Sequence, residues 1–187
     1  MKLDLSLPEL LTEAEAIARD VQSTFGNLNV DQLNWKPSAD KWSVAQCLDH
    51  LIAANKEMLS VFDPIIAGTK QSSFLERMPV LPGLMGRLLL NAVSPQGKQK
   101  VKAPRASTPS TSKLDPNVLI QFASIQQEVC RKFRAIEHVQ ADKIIVTSPF
   151  ASVVVYNLLD AARIIVAHER RHFEQAQRVM AAEGFPT

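Results

Sequence analysis

Apolar residues recurring at three- and four-residue steps constrain this chain more than any other feature. From Leu7 to about Leu28, one helical face carries Leu10, Leu11, Ala14, Ile17, Ala18, Val21 and Phe25. Pro8 and Glu9 suit a first turn: the proline has no N–H to leave unsatisfied, and a carboxylate favours the positive end of the helix dipole. Gly26, Asn27 and Asn29 are expected to stop this helix. A second pattern, Val44 to about Ala67, carries Val44, Leu48, Leu51, Ile52, Leu59, Phe62 and Ile66. Ser43 is its expected N-cap, and Pro64 its kink or early end. A third opens at Asp115-Pro116 and runs to about Ile136. The fourth starts somewhere from Val153 to Asn157 and reaches about Glu183, before Gly184 and Pro186. Val153-Val154-Val155 also reads as strand, so the sequence leaves that start open. Four amphipathic helices of about twenty residues or more predict an all-α four-helix bundle, and a count of only six glycines suits it.

Residues 69–114 form a long, proline-rich crossover insert between the second and third helices, with prolines at 79, 82, 95, 104 and 109. A short helix is expected over residues 83–92. After it, Lys98, Lys100, Lys102 and Arg105 make a basic run that reads as a solvated loop or, alternatively, as an anion contact. The stretch L-N-W-K-P-S-A-D-K-W-S, residues 33–43, reads as an ordered loop pinned by its two tryptophans. With 187 residues, 46% hydrophobic and 21% charged, the chain suits one domain, residues 1–187, with a substantial core. A net charge of +2, with no aromatic platform beside the basic run, argues against nucleic acid as partner. Prolines, glycines and Arg87 interrupt the most apolar stretch, Met78 to Val93, so no membrane span is expected. Asp4, Pro8 and Glu9 break the N-terminal apolar run that an export signal would need. Cys47 and Cys130 lack CxxC spacing and read as reduced thiols, which points to a cytoplasmic protein.

The chemistry-bearing residues are histidines. His168 and His172 stand at i and i+4 on the last helix, within A-H-E-R-R-H-F-E-Q. They share a face with Ala161, Ile164, Ile165, Ala176 and Val179, and two imidazoles at this spacing can grip one metal ion. His50 lies one step from the apolar line of the second helix, among the small or weakly polar Gln46, Cys47, Ala53 and Ala54. If those two helices face each other, His50, His168 and His172 supply three nitrogen ligands. Three protein ligands leave a coordination position open, as catalytic sites do. His138 follows the third helix and reads as surface. The segment His168-Glu169-Arg170-Arg171-His172 also spells H-E-x-x-H, the zinc-protease signature. The metzincin extension, however, would need glycine and histidine where Gln175 and Arg178 stand.

W-S-V-A-Q-C-L-D-H-L, Trp42 to Leu51, followed far downstream by A-H-E-R-R-H-F-E-Q-A, resembles the DinB-like superfamily, especially its YfiT-like branch of metal-dependent hydrolases. The resemblance covers most of the chain. It implies a four-helix bundle, often a homodimer, that binds a divalent metal, zinc or nickel, through three histidines. By motif match these are His50, His168 and His172. Some relatives are thiol S-transferases that use bacillithiol or mycothiol, and one branch is a mycothiol-dependent maleylpyruvate isomerase. The implied function is therefore a hydrolase or a thiol S-transferase acting on a small molecule, with a low-molecular-weight thiol as a candidate cofactor. The alternative is a non-catalytic metal-binding or interaction bundle. The 69–114 insert departs from the family pattern; it roofs the metal pocket, extends a dimer contact, or does neither.

Around the metal, Glu169 is the candidate general base, with an arginine ion pair or a contact behind the ligands as the competing role. Its side chain lies about 100° round the helix from His168. Asn157 lines the pocket or caps the helix. Cys47 is a fourth ligand, a redox-sensitive thiol or a small core residue. Asp49 orients a ligand or faces solvent. Arg170 and Arg171 attract an anionic substrate or cofactor, or belong to a solvated face.

Overall fold

The computed structural model of the chain describes residues 4–78, 81–95, 108–109 and 113–187. The basic run Lys98, Lys100, Lys102 and Arg105 lies outside them. Four long helices carry the fold: α1 (Leu7–Phe25), α3 (Val44–Leu59), α6 (Asn117–Ala135) and α7 (Leu158–Met180). Both α1 and α3 pack against both α6 and α7, so α1 and α3 occupy one diagonal of a four-helix bundle and α6 and α7 the other. The fold is all-α, with one β-hairpin. Its core runs through Leu10, Ile17 and Phe25 of α1, Leu48 and Leu51 of α3, Phe122 and Phe133 of α6, and Ile165 and Ala176 of α7.

The helix starts follow the expected chemistry. Ser6 and Glu9 form a capping box on α1, with Pro8 in the first turn. Ser43 accepts from the Gln46 N–H at 3.1 Å while Gln46 Oε1 accepts from the Ser43 N–H at 3.2 Å, a buried capping box that anchors α3. At α6 the cap is displaced by one residue: Pro116 is the N-cap, and Asp115 Oδ1 accepts from the Asn117 N–H at 2.8 Å.

Two boundaries differ from the expectation, and a third, which the sequence leaves open, is decided. Helix α3 ends at Leu59 rather than near Ala67: the backbone tightens into a 3₁₀ turn at Ser60–Phe62 and restarts as the short α4 (Asp63–Ile66). Pro64 is the cause, since it has no N–H and its ring clashes with the carbonyl four residues earlier. A five-residue helix, α2 (Val30–Asn34), capped by Asn29, precedes the 33–43 loop and takes its first two residues. And Val153-Val154-Val155 is strand: β1 (Ile145–Ser148) pairs antiparallel with β2 (Ala151–Asn157). Helix α7 therefore begins only at Leu158, where the Leu158 and Leu159 N–H groups donate to Ile144 and Ala141.

The insert contributes α5 (Leu81–Val93), which packs against β2 and α7. Gly86 makes the close approach possible, because a Cβ there would lie 2.6 Å from Asp160 Oδ2 and 3.2 Å from Tyr156 Cβ. Arg171 of α7 donates to the carbonyls of Ala92 and Ser94 at 2.7 and 3.1 Å, holding the C-terminal end of α5. Among the described residues, no helix is long and apolar enough to cross a membrane.

Candidate metal centre

The buried capping box at Ser43 sets the start of α3 and so places His50 roughly two turns along it. The i, i+4 spacing puts His168 and His172 together on α7. Because α3 packs against α7, the three rings meet. One nitrogen from each of His50, His168 and His172 lies within 4.8 Å of the other two. His50 Nε2 and His168 Nε2 are 3.1 Å apart, a separation that two metal–nitrogen bonds of about 2.0–2.1 Å can bridge. The ring centroids are 4.6 to 4.9 Å apart.

The electrostatics suit metal ligation. Burial, followed by the neighbouring His172, His50 and Arg171 charges, holds His168 well below the ordinary imidazole value of 6.5. Burial, with His50 and Arg171 adding, pushes His172 down to about 3. At neutral pH both rings are therefore uncharged, the form whose lone pair a metal ion takes. His172 Nδ1 is buried and has no hydrogen-bond partner among the described residues, which is costly unless some group completes the site. Three imidazoles, two of them held neutral, with an orphaned buried nitrogen fit a metal ion.

Trp42, from the loop before α3, closes one side. Its ring stacks on His172 at 5.5 Å and 20° and tilts against His50 at 5.0 Å. Trp35 pins the other end of that loop, edge-on to Phe185 at 5.5 Å. No periodicity in the sequence marks Trp42 as a neighbour of the ligands. Gln46, one turn before His50, lines a cavity of about 370 Å³ with Asn34, Trp35, Lys36, Ser43 and Lys113 among its other walls. A larger cavity, about 450 Å³, lies at Lys70, Glu76 and Thr147. There the polar groups are already paired with one another.

The other expected site residues are placed as follows. Glu169 is fully buried, and both its oxygens are committed inside the bundle. Oε1 accepts from Asn55 Nδ2 at 2.6 Å and Oε2 from Gln126 Nε2 at 3.0 Å. Burial pushes its carboxyl up to about 7, opposed by those two amides. No hydrogen bond joins it to the three histidines. Arg170, next along, pairs with Glu13 and Asp20 of α1. Asn157 caps α7, its Oδ1 accepting from the Asp160 N–H at 2.6 Å. Cys47 is a core residue outside the histidine cluster, and burial pushes its thiol up to about 12. His138 is exposed in the turn after α6. Asn55 and Gln126 escape sequence reasoning about function, although each is a polar residue at a core-facing position of its helix.

A family model for the DinB superfamily matches residues 13–176, and the chain belongs to that superfamily. No curated protein and no solved structure matches it.

Proposed function

We propose that this protein is a metal-dependent enzyme of the DinB superfamily, a hydrolase or thiol S-transferase working at the site formed by His50, His168 and His172. One observation carries the reading: three imidazole nitrogens from two helices converge within 4.8 Å. His50, His168 and His172 would hold a divalent ion, zinc or nickel, by their ring nitrogens. Such an ion supplies Lewis-acid activation of water or of a low-molecular-weight thiol. Among the described residues the cluster holds these three side chains alone, and three protein ligands leave room for substrate. Trp42 covers one flank, limits solvent there and holds the His172 ring by stacking. The cavity at Gln46, one turn from His50, has room for a small-molecule substrate; Lys113 on its wall is paired with Asp31, which lines it too. Within this reading the protein works in the cytoplasm as a homodimer.

Elemental analysis of the purified protein by plasma mass spectrometry tests the site. About one divalent ion per chain is expected, lost in His50→Ala and in His172→Ala while circular dichroism shows the helices intact. Absence of metal after reconstitution with zinc, nickel and manganese would overturn the reading. Turnover of electrophilic substrates with and without added thiol then separates transfer from hydrolysis.

A further inference from the structure

The bond between Asn55 and Glu169 joins the same two helices that carry the metal ligands. Asn55 and His50 are both on α3; Glu169 and His168 are both on α7. The amide-to-carboxylate bond of 2.6 Å and the 3.1 Å approach of the two imidazoles are thus two links across one helix pair. The first link is fully sheltered, with Asn55 at 1% and Glu169 at 0% exposure. Gln126 Nε2, from α6, donates both to Glu169 and, at 3.0 Å, to the Ala14 carbonyl of α1. One carboxylate therefore ties all four bundle helices.

Apolar contacts resist a sliding helix weakly, because the hydrophobic effect is non-directional. A hydrogen bond weakens steeply with misalignment, and a buried carboxylate that loses its donor bears the full cost of desolvation. A buried polar pair is therefore suited to fixing the register of two helices, the role in which such groups are best attested. We infer that Glu169 and Asn55 are positioning residues for the three-histidine site: their hydrogen bond sets α3 against α7 and so the separation of His50 from His168 and His172. The inference rests on the metal-centre reading above. It gives the glutamate of H-E-R-R-H a task inside the bundle, with both oxygens already engaged.

Cobalt(II) titration of the full chain tests it, reading both affinity and the visible ligand-field spectrum. Asn55→Ala breaks the α3–α7 link, and about a tenfold loss of cobalt affinity with an altered spectrum is expected, at the low end of what support around metal ligands contributes. Gln126→Leu removes the other Glu169 donor and the α6–α1 link but keeps the Asn55–Glu169 bond between α3 and α7, so it should lower stability while leaving affinity and spectrum close to wild type. If Asn55→Ala does not fold, Asn55→Ser, with a shorter donor, takes its place. Cobalt binding and spectrum unchanged in a folded Asn55 variant would overturn the positioning role. Equal shifts in the Asn55 and Gln126 variants would also overturn it, because they would show general loosening. A wild-type chain that binds no cobalt would overturn the metal centre itself, a separate failure.

Discussion

Glu76, in the insert, and Glu169, in the bundle, are both buried, and their surroundings treat the charge oppositely. Glu76 Oε2 accepts from the Lys70 ammonium at 2.5 Å and the Ser73 N–H at 2.8 Å, and Oε1 from the Thr147 hydroxyl at 2.8 Å. Burial alone would raise its carboxyl, but Lys70, Ser73 and Thr147 together hold it below the ordinary 4.5. Glu169 receives only two neutral amides, and burial prevails, pushing it up to about 7. Amide dipoles offset part of the desolvation of a carboxylate; a cation in contact, with further donors, offsets all of it. The two sites also differ in what they hold. Glu76 fastens the insert to β1 through Thr147, near the surface, where a lysine can reach it while staying partly in water. Glu169 sits where four helices meet, and no cationic head bonds to it there.

The comparison can be broken most forcefully by pH. The folded-state value of Glu169, about 7, lies above its ordinary 4.5, so the folded chain binds that proton more tightly than the unfolded chain. Its contribution is full below pH 4.5 and is lost as pH rises through 7. The total is of order 3 kcal/mol. Urea unfolding of the metal-free protein should show wild type losing about that much relative to Glu169→Gln between pH 4.5 and 8. The depressed histidines act in the opposite sense but are common to both proteins. A flat difference would mean that Glu169 is not the cation-free buried acid described.

A smaller effect is expected from Lys70→Met. It leaves Glu76 buried without its ammonium, so about 1–2 kcal/mol should be lost at pH 7. The Glu76 carboxyl, followed by NMR, should titrate above its wild-type value while Glu169 stays put. A Glu76 titration that does not move would show that the backbone and hydroxyl donors, and not the cation, hold it down.

The smallest effect belongs to Thr147→Val, which keeps the shape and removes one donor. About 0.5–1.5 kcal/mol should be lost in urea unfolding, with cobalt affinity unchanged. A loss of metal affinity there would show that the insert anchor and the histidine site are coupled, against the separation drawn here.

Much of the fold is legible in the chain. The four apolar stripes are periodic over many turns, and the caps at Ser6, Ser43 and Asn157 are local chemistry. The start of α7 is less legible, because three consecutive valines suit a strand while also fitting the apolar run of a helix. Pairing with Ile145–Ser148, which no local pattern announces, decides it. The five residues of α2 are too few for a periodic signal. At the site, the pairing of His168 with His172 follows from spacing alone; His50 is named beside them by the W-S-V-A-Q-C-L-D-H-L resemblance, and the packing of α3 on α7 brings its ring to theirs. Glu169 shows what a motif omits: H-E-x-x-H states that a glutamate follows a ligand, not which way the helix turns it.

The sequence by itself determined the long helices, most of their starts, and a histidine pair able to share one ion, because these depend on backbone periodicity and on neighbours within one turn. The tertiary structure alone decided how closely His50 approaches the pair, that Trp42 covers it, and that Glu169 joins Asn55 and Gln126. Those outcomes depend on which arc of α7 faces which partner. That choice is set by burial summed over the whole bundle, and no local stretch of chain carries it.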